Sequence, residues 1–310
     1  MEDLFDIDTL EFINSNSSLV IHDEYNLKKT LELWSKCNKF EHITFWDTTK
    51  IKSMNKVFQN KDKFNELLLW NTGNVHTMIS MFDNAICFNQ PINFWIIDKV
   101  FDMEMMFCKA ESFNQSLNEW DVSNVNNMIS LFNGAIEFNQ PLDKWNIGNV
   151  HDITTIFFRA EKFNRNINNW DLSNIKTLYG VFSGASNFNM PLDKWDTSNV
   201  TCMYGLFHNC KNFNQIINSW DVSNVQDMTS LFENAHNFNM PLDNWNVSKV
   251  NNMCSMFSNA RSFNQDLSTW KVSSINCIIP KSKGNILSKK YSIFMNTKLE
   301  DEDNVPDWYI

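Results

Sequence analysis

Glycine is scarce in this 310-residue chain, which contains only seven. Loops that cradle phosphate groups need several closely spaced glycines, so the composition argues against a nucleotide-binding loop of that kind. It also argues against turns that depend on glycine for a left-handed backbone. Whatever reverses the chain direction in this protein must use other residues.

Paired cysteines are absent as well. The seven cysteines form no Cys-x-x-Cys motif and no regular series along the chain. The six histidines share no regular position, and no His-Glu-x-x-His motif or Cys/His cluster is present. An odd, scattered set of cysteines predicts free thiols in a reducing compartment, without a disulfide framework or a zinc site.

No basic surface stripe and no long apolar run are evident. The net charge is −10, and residues 1–25 and 299–310 carry acids but no lysine or arginine. We therefore expect no nucleic-acid partner. The sequence contains no run of about 18 apolar residues, so it predicts no membrane span. The first residues lack the basic and apolar regions of a signal peptide. The expected location is intracellular, with association with a virion or a cell surface as the alternative.

What the sequence does contain is a repeat. Tryptophans recur every 25 residues from Trp70 to Trp270, and Trp46 begins an earlier copy that is one residue short. A fixed period of this size predicts supersecondary units that stack on one another. We number each copy from its tryptophan as position 0.

Six further positions are apolar in nearly every copy. Position 5 is Val or Ile, position 8 is Met, Ile or Leu, positions 12 and 18 are Phe, and position 22 is Leu or Ile. Position 15 is Ala, apart from Cys210 and Lys61. The spacing of positions 8, 12 and 15 predicts a short helix or 3₁₀ turn, whereas the alternation in Leu-x-x-Trp-x-Val predicts a short strand. The sequence therefore predicts a mixed α/β repeat solenoid of about nine to ten coils, with parallel strands on one face and helical turns on the other.

Two polar patterns accompany the apolar ones. Position 19 is Asn in all nine copies from Asn65 to Asn264, which predicts side chains that bond backbone groups of their own bend and of the next turn. Pro at position 21 and Asp at position 23 occur in alternate copies, so the surface should alternate turn by turn. We favour the interpretation that this second period reflects only the duplication of a 50-residue ancestral unit.

Charge and pattern divide the chain into five parts. We expect an acidic N-terminal segment, an N-terminal helical cap, the repeat solenoid, a C-terminal cap and an acidic tail, which span residues 1–22, 23–45, 46–270, 271–298 and 299–310.

The residues that flank each tryptophan are the candidate binding surface. If the tryptophan lies on a strand, its neighbours point away from the core, because side chains alternate. We call positions −1 and +1 of the copies the Trp-flanking face. The alternative is that these positions vary only because a solvated surface tolerates sequence drift. The candidates are Glu119, Asp121, Lys144, Asn146, Asn169, Asp171, Lys194, Asp196, Ser219, Asp221, Asn244 and Asn246.

Evidence for catalysis or a cofactor is weak. Asp171, Asp196 and Asp221 share position 1 in consecutive copies and are weak candidates for binding Ca²⁺, which prefers carboxylates. A solvated face, or carboxylates that bond their own turns, is the alternative interpretation. No nucleophile elbow is present. We therefore expect no cofactor, no metal and no enzymatic activity.

The copy that begins Trp120-Asp121-Val122-Ser123-Asn124-Val125 and continues through Met128, Phe132, Ala135 and Phe138-Asn139-Gln140 resembles the BspA-like leucine-rich-repeat family. This is the 25-residue mycoplasma-lipoprotein repeat, and the resemblance covers about residues 46–275. It implies a leucine-rich-repeat-like solenoid used for binding. The family is frequent on bacterial surfaces and also occurs in protists and large DNA viruses.

The leading functional hypothesis is a non-enzymatic, monomeric scaffold that binds another protein along its strand face. The first alternative is an adhesin on a cell or virion surface. A less favoured alternative is an enzyme whose site lies at a cap of the solenoid.

Overall fold

The phenylalanines at positions 12 and 18 form two parallel ladders through the core. Within one turn the two rings lie face to face, as in Phe82 and Phe88, whose centroids are 3.9 Å apart. Between turns, Phe82 and Phe107 stack at 5.7 Å, and Phe88 and Phe113 stack at 5.8 Å. Offset stacking of this kind is a favoured arrangement of aromatic rings and adds to the gain from burial. The repeat in the sequence is therefore a repeat in space.

The computed structural model describes residues 20–37, 43–272, 293–301 and 306. Its named elements are helix α1 (Glu24–Cys37), a short 3₁₀ helix (Ile43–Phe45) and helix α2 (Lys298–Asp301). Between the 3₁₀ helix and residue 272 the chain consists of turns and isolated parallel bridges. In the described ranges, no helix has both the length and the apolar character needed to cross a membrane.

Backbone hydrogen bonds join each turn to the next in a fixed pattern. Amides at positions 8, 10, 12 and 14 donate to carbonyls at positions 7, 9, 11 and 13 of the following turn. One example is Phe82 N, which donates to Met106 O at 2.8 Å. The odd positions close i−3 bonds inside their own turn, as Ala85 N does with Phe82 O at 3.0 Å. Every second amide therefore connects turns, and the intervening amides shape them.

A left-handed backbone at positions 10 and 14 produces this alternation. All nine turns from residue 46 to residue 270 have positive φ at both positions, between 52° and 78°. Four of these eighteen residues are glycine, and the rest include Asn, Ser, Lys, Met, Thr and Arg. Non-glycine residues are uncommon in this region, and asparagine tolerates it best. The stacked neighbours must therefore stabilise a conformation that most of these residues disfavour on their own.

The predicted strands are absent from residues 43–272. Trp120 N donates to Leu117 O at 3.1 Å and Val125 N donates to Val122 O at 2.9 Å, so turns flank the tryptophan on both sides. Because these amides bond within their own turn, they cannot form a ladder with the neighbouring one. Parallel pairing occurs as isolated bridges at position 7, for example between Thr77 and Asp102.

The helix or 3₁₀ turn predicted over positions 8–15 is also wrong for these residues. That segment is a series of overlapping turns. A helix requires negative φ at every residue, and the left-handed residues at positions 10 and 14 interrupt it. The spacing of the apolar residues is nevertheless correct, because residues at positions 8, 12 and 15 are all buried.

Helix α1 precedes the first repeat turn. Asp23 Oδ1 accepts a hydrogen bond from Asn26 N at 2.8 Å, so Asp23 is the N-cap of α1. Leu27 and Leu31, one helical turn apart, are buried against the first repeat turns. Ile21 N donates to Asp47 O at 2.9 Å, which attaches the chain before α1 to the first turn.

A degenerate extra turn follows the repeats. Phe294 stacks on Phe257 at 5.6 Å and continues the position-12 ladder. Phe257 N and Asn259 N donate to Ile293 O and Met295 O, at 2.9 and 2.7 Å. The regular sequence pattern ends at Trp270, so this turn lies outside the 25-residue period. The acidic segment and tail predicted at the two ends fall largely on residues outside the described ranges.

Asparagine at position 19 bonds the backbone of the next turn, which is one of the two roles that the sequence predicts. Asn89 N donates to Asn65 Oδ1, and Asn114 N donates to Asn89 Oδ1, each at 2.9 Å. The Asn89 oxygen also accepts from Gln115 Nε2 at 2.9 Å. Asn89 and Asn114 are half-buried and Asn65 is exposed, so the ladder runs along the rim of the core and bonds each turn to the next.

The 50-residue period has a structural counterpart at position 23. Asn118 Nδ2 donates to Asp143 Oδ1 of the next turn at 3.0 Å, and its Oδ1 accepts from Lys144 N at 3.1 Å. The same pair of bonds recurs at Asn168 and at Asn218. Alternate junctions therefore carry an additional pair of side-chain hydrogen bonds.

Cys210 provides a test of the core assignment. It replaces the usual Ala at position 15, is fully buried, and its Sγ donates to Phe182 O at 2.8 Å. Burial raises the pKa of the Cys210 thiol, so little reactive thiolate forms. Cys210→Ala should fold normally and change the free energy of unfolding by about 1 kcal/mol.

Thiol labelling of the native protein, mapped by mass spectrometry, should modify exposed Cys87 quickly and Cys210 only after denaturation. Labelling of native Cys210 as fast as Cys87 would show that position 15 does not face the core.

Candidate functional site

The Trp-flanking face is held in place by the tryptophans themselves. Each indole is buried, and its Nε1 donates to the backbone carbonyl that lies 27 or 28 residues earlier, as Trp120 does to Ile92 O at 3.2 Å. The same bond recurs from Trp95 to Trp270. The residues on either side of each indole are therefore fixed at a regular spacing.

All twelve predicted binding residues are exposed. The strand on which that prediction relied is absent, yet a turn centred on a buried tryptophan also directs both neighbours outward. The structure therefore places the twelve on one continuous surface, with one pair per turn. Whether a partner uses this surface is addressed below.

The aspartates at position 1 bond to their own turns. Asp171 Oδ1 accepts from Ser173 N at 2.9 Å, Asp196 Oδ1 from Ser198 N at 3.0 Å, and Asp221 Oδ1 from Ser223 N at 2.9 Å. These are Asx turns, in which the side chain replaces a backbone acceptor. Asn146 makes the equivalent bond to Gly148 N at 3.1 Å, so the turn does not require the negative charge.

Hydrogen bonds also affect the ionisation of two position-1 aspartates, Asp121 and Asp196. Bonds from the side chain and the backbone of Ser198 lower the pKa of Asp196, and those from Ser123 lower the pKa of Asp121 in the same way. A lowered carboxyl pKa keeps the charged form to lower pH. Any stability that these bonds contribute is present above the pKa of the unfolded chain, and it is lost as the pH falls through the folded pKa.

The three weak metal candidates, Asp171, Asp196 and Asp221, are not gathered into a larger cluster of possible ligands in the part of the chain that the structure describes. In the described ranges, no group of three or more His, Cys, Asp or Glu side chains is arranged to hold an ion. The position-1 carboxylates each direct one oxygen to an amide of their own turn, which leaves them separately solvated. The bonding interpretation of this aspartate column fits its geometry better than the Ca²⁺ interpretation.

One ion pair crosses turns on this face. Lys144 Nζ contacts Glu119 Oε1 of the preceding turn, and both side chains are more than half exposed. An exposed pair of this kind contributes little to stability. Its effect is to neutralise one part of the face, next to the column of aspartates.

Sequence analysis missed an apolar part of the same face. Leu69, Phe94 and Ile96 occupy flanking positions in the earlier turns, and 47%, 45% and 56% of their surfaces are exposed. The candidate residues began at Glu119, so these three were left out. Large apolar side chains at positions that are polar in other copies were the signal that would have identified them.

A second exposed feature lies at position 9. Tyr179 and Tyr204 stack with ring centroids 4.9 Å apart. Burial and the nearby Tyr179, Asp227 and Glu233 raise the pKa of the Tyr204 hydroxyl. His208, whose pKa is lowered by burial, lies 4.0 Å from Glu233. No periodic pattern identifies this group, because only two adjacent copies carry tyrosine at position 9.

Comparison with known proteins gives one match. The family model described as "Mycoplasma protein of unknown function, DUF285" matches residues 26–130, 93–194 and 176–279 in three overlapping segments. No curated protein and no solved structure matches the chain. The matched family has no established activity, so the comparison assigns no role to any residue.

Proposed function

We propose that this chain, which belongs to the DUF285 family of mycoplasma proteins of unknown function, is a non-enzymatic scaffold that binds another protein through its Trp-flanking face. One observation carries the proposal: the buried positions repeat almost unchanged, whereas the exposed residues beside each tryptophan differ in charge and size from turn to turn. A stacked array of this kind presents an extended surface whose chemistry is set turn by turn.

Four or five adjacent turns of this face are proposed to supply the area that such a role needs. A specific protein interface needs about 800 Å² from each partner. Four or five adjacent turns offer an uninterrupted row of exposed flanking residues over residues 119–221. The row contains charged, amide and hydroxyl side chains, which give a partner specific hydrogen-bonding groups.

The proposal includes a leucine-rich-repeat-like solenoid of the BspA type. It is supported by the 25-residue period and by the unbroken aromatic ladders. An experimental structure in which successive turns do not advance along one axis would contradict it.

We also propose that the protein acts as a monomer in a reducing, intracellular compartment and binds no nucleic acid. Cys87, Cys108, Cys202 and Cys210 have free thiols, in agreement with such a compartment. Cell fractionation tests this placement, and recovery only with membranes or purified particles would favour the adhesin alternative.

Removing charge from the aspartate column tests the binding face. Asp171→Asn, Asp196→Asn and Asp221→Asn together keep the Asx-turn acceptor, as Asn146 and Asn246 show in the native chain. We expect the free energy of unfolding to change by less than about 1 kcal/mol, because the turn bonds remain. Capture of a partner, identified by affinity purification with the native protein, should weaken and become less dependent on salt.

The corresponding triple change to Lys removes the turn acceptor as well, so it should destabilise the fold in addition to weakening capture. The Asn variant therefore separates binding from folding. If the partner binds the folded Asn variant with unchanged affinity and salt dependence, the binding surface lies elsewhere.

A further inference from the structure

The Trp-flanking face changes character along the stack. Leu69, Phe94 and Ile96 make its earlier part apolar, and all three are about half exposed. The later part carries Asp171, Asp196 and Asp221. A single partner that follows the face therefore meets apolar surface first and negative charge afterwards.

The apolar part is a cluster, and this distinguishes it from scattered surface residues. Leu69 and Phe94 occupy the same position in consecutive turns, and Ile96 follows Phe94 by two residues. Gly73 has no side chain to separate Ile96 from the preceding turn. Contiguous exposed apolar side chains mark interaction surfaces more often than isolated ones do.

The acidic part attracts cations. The six flanking residues around Trp170, Trp195 and Trp220 include three aspartates and one lysine. Asp193 and Asp243, at position 23, are exposed next to them. A basic segment is complementary to this surface, and an acidic one is repelled by it.

The distance between the two parts sets the length of the partner segment. Leu69 and Asp221 flank tryptophans that are six turns apart, and successive core rings are 5.7–5.8 Å apart. The outer ends of the two parts are therefore about 35 Å apart, a span that a fully extended chain of about ten residues covers.

We infer that the partner presents an extended segment of about ten residues, with an apolar cluster at one end and lysine or arginine at the other. The apolar end contacts Leu69, Phe94 and Ile96, and the basic end contacts the aspartate column. This inference rests on the proposed function, because it specifies what binds to the Trp-flanking face.

A synthetic peptide tests it directly. The probe is a fluorescent twelve-residue peptide with Leu-Phe-Leu at one end, a Gly/Ser spacer and three lysines at the other end. One control peptide replaces the lysines with glutamates, and a second has the same composition with apolar and basic residues interleaved. Fluorescence anisotropy at low salt should show at least tenfold tighter binding of the probe than of either control.

Variants of the full chain identify which surface the probe contacts. Phe94→Ser with Ile96→Ser should weaken probe binding about tenfold or more, whereas Phe101→Ser, also 45% exposed but at position 6, should not. The triple aspartate-to-asparagine variant should bind the lysine and glutamate peptides with similar affinity. All variants are first shown to keep the native unfolding midpoint.

Equal binding of the lysine and glutamate peptides to the native chain would overturn the inference, as would equal binding of the interleaved peptide. Absence of probe binding would overturn it too. Those results leave the proposed function standing if a captured protein cross-links to the Trp-flanking face. A captured protein that cross-links elsewhere refutes both.

Discussion

Phe182→Ala should lower the free energy of unfolding by about 3–5 kcal/mol. The ring is fully buried and stacks on Phe188 at 4.0 Å within its turn. It also stacks on Phe157 and Phe207, each at 5.8 Å, in the turns on either side. Truncation removes these contacts and leaves a cavity that a regular stack cannot easily close. Chemical denaturation followed by tryptophan fluorescence measures the change.

The loss should spread to neighbouring turns and fade with distance, because each turn contacts only its neighbours. Hydrogen exchange should accelerate at Phe157 N and Phe182 N, which donate to the following turns. Phe101→Ala, which truncates a half-exposed phenylalanine, is the matched control and should cost much less. Equal effects of the two substitutions would show that the position-12 ladder is not the main source of stability.

The core could be predicted from the sequence almost completely. Every position that is apolar in nearly all copies is buried, from the tryptophans to the phenylalanines at positions 12 and 18. Burial depends on side-chain chemistry, which a 25-residue period repeats often enough to be unambiguous. The exposure of the Trp-flanking residues followed from the same pattern, although the structural reason for it is a turn.

The backbone conformation could not be predicted, because the residues with a left-handed backbone share no common residue type. Position 10 is Ser, Met, Thr, Gly or Lys, and all of them have positive φ. Glycine scarcity argued against left-handed turns, yet stacking between neighbours fixes them without glycine. The extra turn at Phe294 was missed for another reason: it lies 37 residues after Phe257, so the fixed period does not reach it.

Ser230→Pro should destabilise the fold by about 3 kcal/mol or more. Ser230 has φ of 53°, and proline is fixed near −65°. Proline also removes the amide that donates to Cys254 O at 2.8 Å, one of the bonds that join this turn to the next. Both losses fall on the same junction, so thermal and chemical denaturation should show the effect clearly.

Ser230→Gly is the control that separates conformation from side-chain chemistry. Gly180 and Gly205 occupy the same position in other turns with φ of 58°, so glycine fits this site. We expect the glycine variant to stay within about 1 kcal/mol of the native protein, because relief of the left-handed strain offsets the greater freedom of the unfolded chain. A proline variant as stable as the glycine variant would mean that position 10 is neither left-handed nor bonded to the next turn.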